Sequence, residues 1–216
     1  MKQQVLLTEL ANDTLQGLSS NPKYLLSKYF YDDAGSAIFQ DIMKMPEYYL
    51  TECEREIFTH QKDAITDAIC ENISRFNLIE LGSGDGKKTK ILLKHLVKKS
   101  IRFQYTPIDI SAKANGDLVK SLKLELPRLN VAAKTGDYFH KLHKLNGQPT
   151  IPKVILFLGS NIGNFSDNET DKFLNQLSAY TNPGDKLLIG FDLKKSPKTI
   201  MDAYDDPHGH TRRFNL

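Results

Sequence analysis

The chain has 216 residues, 40% hydrophobic and 25% charged, with a formal charge of +3, which suits one good core or a core plus a small appendage. So mild a charge, with no arginine-rich stripe or zinc-finger spacing, argues against nucleic acid, and the longest apolar runs, such as Val154–Leu158, are too short for a bilayer. The N-terminus has no apolar signal-peptide core, and Cys53 and Cys70 fall in no metal or C-x-x-C spacing, so free thiols in the cytoplasm are expected.

Residues 1–60 carry helical spacing broken by short turns and by Pro46, and are rich in aromatics: Tyr24, Tyr29, Phe30, Tyr31, Phe39, Tyr48 and Tyr49. Residues 52–72 predict one helix, with Ile57, Ala64, Ile65, Ala68 and Ile69 at helical intervals. From about 75 the pattern changes to alternating strand and helix. A first strand covers 76–81. The helix after it turns Ile91, Leu92, Leu93, Leu96 and Val97 inward and Lys90, Lys94, Lys98 and Lys99 to solvent. A second strand, 103–109, ends in Asp109, and Ser111 can cap a helix that runs until Pro127. A short third strand spans 129–133. The fourth, Lys153–Leu158, is almost wholly apolar, which suits a strand covered on both faces. Asp167 or Asn168 caps the next helix, to about Tyr180, and Asn182-Pro183-Gly184-Asp185 turns the chain into a fifth strand, Lys186–Asp192. This alternation predicts an α/β fold, a doubly wound and mainly parallel sheet. Such sheets bind ligands outside the carboxyl ends of their strands, at the topological switch point.

The chemistry-bearing segment is Leu78-Ile79-Glu80-Leu81-Gly82-Ser83-Gly84-Asp85-Gly86-Lys87-Lys88-Thr89. A strand ends in an acid, passes three alternate glycines and enters a helix, so a ligand can approach bare backbone at a helix N-terminus. A dinucleotide fingerprint would need a glycine where Lys87 stands. A P-loop would need one at Leu81, and lysine next to the hydroxyl; here Lys88 separates Lys87 from Thr89. The spacing G-x-G-x-G, with an acid two residues ahead, resembles motif I of the class I methyltransferases that use S-adenosylmethionine. Asp109, at the end of the second strand, can accept both hydroxyls of a ribose or cap the following helix. Asp137, in Thr135-Gly136-Asp137-Tyr138-Phe139, follows the third strand and is either an adenine contact of that class or an ordinary turn residue. Phe157-Leu158-Gly159-Ser160-Asn161-Ile162-Gly163-Asn164-Phe165 is either a polar grip on a small substrate or a helix-capping turn.

Further segments narrow the resemblance. Lys28-Tyr29-Phe30-Tyr31-Asp32-Asp33-Ala34-Gly35-Ser36-Ala37-Ile38-Phe39, Met45-Pro46-Glu47-Tyr48-Tyr49-Leu50-Thr51 and Ala203-Tyr204-Asp205-Asp206, together with 80–89 and 157–165, resemble the histidine Nα-methyltransferases of ergothioneine biosynthesis. The resemblance implies a Rossmann-like class I core over 75–216 and an N-terminal helical cap over 1–74 that contributes to the substrate site. It implies methyl transfer from S-adenosylmethionine to the α-amine of an amino acid, L-histidine above all, giving the trimethylated betaine and S-adenosylhomocysteine. Relatives that methylate indole-bearing amino acids or amines make those the nearest alternative, and a non-catalytic cofactor-binding module is the alternative of another class.

Carried over by position, Tyr31, Phe39, Tyr48, Gly159, Asn164 and Tyr204 match residues around the amino acid, with Tyr31, Asn164 and Tyr204 in the catalytic role. Tyr48, Glu80, Gly82, Gly84, Gly86, Lys88, Asp109, Asp137 and Tyr138 match the cofactor side; position 138 is often Phe in the family. The aromatics among them could equally be core packing. The implied chemistry uses no metal, and His140, His143, His208 and His210 lack a ligand set. Family members run on well past Phe214-Asn215-Leu216, so the chain is expected to be an N-terminal portion. It would then lack the last two strands, most of the substrate lid and the residues that read the imidazole. The strand at 187–192 would form a bare apolar edge open to self-association.

Overall fold

The computed structural model describes residues 2–145 and 151–215. It contains two compact units, one made of the residues up to Ile42 with those from Asp205 onward, the other Met43–Tyr204.

The first unit holds α1 (Lys2–Ser19), a short 3-10 turn over Ser27–Phe30, α2 (Asp33–Ile42) and, from the far end of the chain, α10 (His210–Asn215). Its aromatics pack on one another. Tyr31 meets Phe39 edge-on at 5.5 Å and Phe214 at 5.2 Å, and Phe30 meets Phe214 at 5.6 Å. Offset and edge contacts of this kind favour aromatic pairs beyond their buried area.

The second unit begins with α3 (Leu50–His60) and α4 (Lys62–Cys70), which the expected cap over 1–74 would have grouped with the N-terminal helices. The single helix expected over 52–72 is in fact this pair, broken at Gln61, whose φ of −107° and ψ of 9° leave the helical region. The break rotates the buried face: Phe58, Thr66 and Ile69 are buried while Ile57, Ala64 and Ala68 are exposed.

Then come β1 (Arg75–Leu81), α5 (Thr89–Lys98), β2 (Arg102–Asp109), α6 (Ala112–Glu125), β3 (Asn130–Val131), β4 (Lys134–Thr135), α7 (Tyr138–Leu145), β5 (Lys153–Phe157), α8 (Asp167–Ala179), β6 (Lys186–Ile189) and α9 (Pro197–Tyr204). All strand pairs are parallel, in the order β3-β2-β1-β5-β6, with β4 also on β2. The third expected strand is thus two short bridges, and the fifth stops at Ile189. Among the described residues β6 pairs with β5 alone. Leu187, Phe191 and Leu193 are exposed.

The period-2 alternation of side chains along each strand divides the core into two layers. Leu78, Tyr105, Val154 and Leu156 pack with Phe58, Leu92, Leu93, Leu96, Leu118 and Leu122 on one face. Ile79, Leu81, Ile108, Ile155 and Phe157 pack with Leu142, Phe173 and Leu177 on the other. Each fully buried side chain of this size contributes about 1.5–3 kcal/mol, and β5 is buried along its whole length, as its apolar run predicts. Its one charge, Lys153, pairs with Asp185 at 3.0 Å, so the turn at 182–185 is tied to the start of β5.

Helix starts follow local chemistry. The Ser111 hydroxyl accepts the Ala114 N–H at 3.1 Å, as expected. At α8 the cap is Ser166 rather than Asp167 or Asn168, because Ser166 and Glu169 form a reciprocal capping box. Lys90 and Lys94 of α5 reach Glu125 of α6.

Candidate functional site

The sheet order reverses direction between β1 and β5, and the carboxyl ends of those strands open on Gly82 and Gly159. That is the switch point of the sheet. Gly82, Gly84 and Gly86 all have positive φ, 75°, 52° and 64°. A side chain on Gly82 would meet the Tyr138 hydroxyl at 2.8 Å, and one on Gly86 would meet Leu118 at 2.5 Å. Gly84 faces open space.

Two acids hold this turn in different ways. Asp109 ends β2, the neighbour of β1; its Oδ2 accepts the Gly84 N–H at 2.9 Å and its Oδ1 the Ser111 N–H at 2.9 Å. It therefore ties the glycine turn to the start of α6, and each oxygen keeps a lone pair. Glu80 lies beneath the turn, only 3% exposed. Its Oε1 accepts from the Thr89 hydroxyl at 2.5 Å and its Oε2 from the Tyr105 hydroxyl. Burial pushes the Glu80 carboxyl up to about 7, against the opposing pull of those two hydroxyls, and burial raises the Tyr105 phenol well above its ordinary value. Asn115, itself buried, accepts from Ser83 and donates to the Lys134 carbonyl and the Thr135 hydroxyl.

The other residues expected on the cofactor side take different places. The Tyr138 hydroxyl is beside Gly82. Asp137 is exposed at the start of α7, its Oδ1 accepting the His140 N–H at 2.9 Å. Lys88 precedes α5 and its ammonium pairs with Glu54 of α3. Tyr48 is 8% exposed and meets Tyr204 edge-on at 5.9 Å. Burial raises the Tyr204 phenol, so it stays protonated near neutrality.

The loop after β5 is built differently. Gly159 has φ 77°, and Ser160 follows in the left-handed region at φ 53°, ψ 23°. A non-glycine residue held there is uncommon and costs about 1 kcal/mol or more. The Ser160 hydroxyl accepts the Asp192 N–H at 3.0 Å, and Asp192 accepts from the Tyr49 hydroxyl at 2.5 Å and from Lys195. A 3-10 turn, Asn161–Asn164, ends in exposed Asn164. Tyr31 and Phe39 belong to the other compact unit.

Residues that spacing does not single out also take part. Glu54, Asn115, Ser160 and Asp192 each bond to or within a turn or loop of this site, and Tyr105 bonds to Glu80 beneath the glycine turn. Tyr105 and Asn115 could be suspected as polar residues at inward positions of an apolar strand or helix; Glu54 has no such signal.

A family model described as "Histidine-specific methyltransferase, SAM-dependent" matches residues 10–216. The chain belongs to this family. It is 35% identical over 208 residues to the histidine N-alpha-methyltransferase of Mycobacterium tuberculosis, covering 95% of this chain and 62% of that protein. It is 30% identical over 198 residues to ergothioneine biosynthesis protein 1 of Schizosaccharomyces pombe, covering 88% of this chain and 25% of that protein. The chain thus spans about three fifths of the mycobacterial family member, and less of the yeast one. Among solved structures, the plantazolicin methyltransferase BpumL, in complex with a triazolic desmethylPZN analog and SAH, aligns with a TM-score of 0.54 at 15% identity. That alignment covers 98% of this chain and 70% of BpumL. At that identity the likeness is one of fold, and it agrees with the parallel α/β sheet of the larger unit.

Proposed function

We propose that this chain carries the cofactor side and part of the acceptor side of an N-methyltransferase. The enzyme would transfer methyl groups from S-adenosylmethionine to the α-amine of an amino acid, L-histidine, to give the trimethylated betaine. The observation that carries the proposal is the bare glycine turn at the switch point, its open Gly84 held by Asp109 from the adjacent strand. Membership of the histidine-specific family and the named function of the mycobacterial relative support the choice of acceptor.

The turn fits the cofactor. Gly84 leaves room beside the backbone, Asp109 has acceptor capacity for ribose hydroxyls, and Tyr138 offers a ring next to Gly82. Gly82, Gly84, Gly86, Lys88, Asp109, Asp137, Tyr138 and Tyr48 would hold it, with Glu80 shaping the turn from below. When bound, the cofactor supplies a methyl group already activated on a sulfonium.

The protein's own task is positioning, which supplies about 7–11 kcal/mol in well-oriented systems. Asn164, Gly159 and Tyr204 would orient the amino acid so that its neutral amine is presented for methylation; Tyr31 and Phe39 remain acceptor-side candidates by the resemblance alone. The orienting residues would keep the amine neutral with its lone pair free for the methyl group that the cofactor would supply, and water would take the proton released before each further transfer. Tyr204, held protonated, would serve as a hydrogen-bond partner rather than a base. Aromatic faces suit the cationic groups at both ends of the reaction.

Scintillation counting of labelled methyl transfer to a panel of amino acids tests the proposal. Trimethylated L-histidine is the expected product. Transfer confined to an indole-bearing amino acid would overturn the acceptor, and cofactor binding without transfer to any acceptor would overturn the reaction.

A further inference from the structure

Glu54 lies on α3, between the exposed residues Glu52, Arg55 and Glu56, yet its side chain is only 14% exposed. Its Oε1 accepts the Gly159 N–H at 2.6 Å, and its Oε2 pairs with the Lys88 ammonium. A side chain on Gly190, just past β6, would come within 2.5 Å of Oε1, so the missing Cβ there makes room for this carboxylate. One side chain thus meets the turn after β1, the loop after β5 and the end of β6, all at the carboxyl edge of the sheet.

We propose that Glu54 is a positioning residue that sets the glycine turn and the Gly159–Asn164 loop relative to one another. The loop needs such a hold. Ser160, beside Gly159, is a non-glycine residue in the left-handed region, where such a residue stays only if the surroundings over-determine it. An ionised carboxylate accepting a backbone N–H makes a stronger bond than a neutral acceptor would. Lys88 gains a fixed place in the same step, because a flexible four-carbon stem carrying a point charge has little directional preference of its own. Glu54 needs no contact with substrate or cofactor for this. The proposal rests on the reading of this edge as a methyl-transfer site: Lys88 on the cofactor side and Gly159 on the acceptor side are joined by one carboxylate.

The experiment uses Glu54→Gln, Glu54→Ala, Lys88→Met and the double variant Glu54→Gln with Lys88→Met. Glutamine keeps an acceptor for the Gly159 N–H and loses the charge that holds Lys88; alanine loses both. By NMR without ligand, Gly159 amide exchange should be near that of the parent protein in Glu54→Gln and at least ~10-fold faster in Glu54→Ala. Calorimetry with S-adenosylhomocysteine should show affinity about 5–10-fold weaker in Glu54→Gln. It should also show the double variant no weaker than Lys88→Met alone, the non-additivity expected of residues acting through each other. The acceptor KM should rise about 10-fold in Glu54→Ala and less than 2-fold in Glu54→Gln. Unchanged Gly159 exchange in Glu54→Ala, or affinity losses that simply multiply, would overturn the proposal. If the parent protein binds no S-adenosylhomocysteine, the functional reading falls, while the exchange measurement still decides the clamp.

Discussion

The two sides of the sheet's mouth are held by different means. Beneath the glycine turn after β1, Glu80, Thr89 and Tyr105 form a closed, fully buried hydrogen-bonded set, and Gly86 packs tightly against Leu118. Among the described residues the loop after β5 has no such hydrogen-bonded floor; its anchor is apolar, with Ile162 buried in the core and Phe165 against Phe157 and Phe173. It is tied by the Glu54 carboxylate and the Ser160 hydroxyl, and its far end, with Gly163 and Asn164, is exposed. Buried, satisfied networks are rigid and costly to disturb, whereas an exposed loop end such as Gly163 and Asn164 opens at lower free energy than its buried anchor. A preformed turn beside a more adaptable loop is the division expected where one ligand is invariant and the other must be admitted and released.

Glycine substitutions give the harshest test of that contrast. Gly86→Ala places a Cβ 2.5 Å from Leu118 at a φ of 64°. Overpacking and left-handed strain together should lower stability by about 2–4 kcal/mol. Gly163→Ala meets only the Ser160 hydroxyl, at 3.8 Å, with no positive φ, and should change stability by less than about 0.5 kcal/mol. Urea unfolding of both variants checks this. Similar losses at the two positions would mean the loop is as tightly determined as the turn.

The same contrast explains what could be read in the sequence. The order of strands and helices was visible because long apolar runs such as 153–158 and the amphipathic pattern at 89–98 carry their own period. The glycine turn was visible because its φ values leave almost no other residue. β3 and β4 were not separable, because two-residue bridges are defined by pairing with β2 rather than by their own residues. The break at Gln61 had no proline or glycine to announce it. The α8 cap was recoverable: Ser166-Asp167-Asn168-Glu169 is a capping-box pattern, and any of its first three residues suits a cap on type alone. Glu54 was out of reach, since one acid in a charged helix segment looks like its solvated neighbours until the chain brings Lys88 and Gly159 to it.

The buried acid gives a second, smaller test, confined to the turn side. Burial raises the folded Glu80 carboxyl from an ordinary 4.5 to about 7. The folded protein therefore holds this proton more tightly than the unfolded chain does. The stabilising contribution is fully present below about 4.5 and is lost as pH rises through about 7. Glu80→Gln removes the titrating group. Relative to the variant, the parent protein should lose about 1–3 kcal/mol of stability between pH 5 and pH 8. Denaturation midpoints at several pH values read this directly, and a flat difference would show that the carboxyl does not titrate in that window.

The finest test separates the two sides by function rather than stability. Asp109→Ala removes the acceptor for the Gly84 N–H and should weaken S-adenosylhomocysteine binding about 10-fold, in line with losing one charge-assisted hydrogen bond and its partner's support. Asn164→Ala removes an exposed amide at the end of the loop and should raise the acceptor KM about 10-fold. It should leave cofactor affinity within 2-fold and stability within about 0.5 kcal/mol. Sites with no shared partner act independently, so the combined variant should show the two losses side by side, each in its own constant. If Asn164→Ala also weakened cofactor binding, the loop and the turn would be a single unit, and the division between a preformed cofactor side and an adaptable acceptor side would not hold.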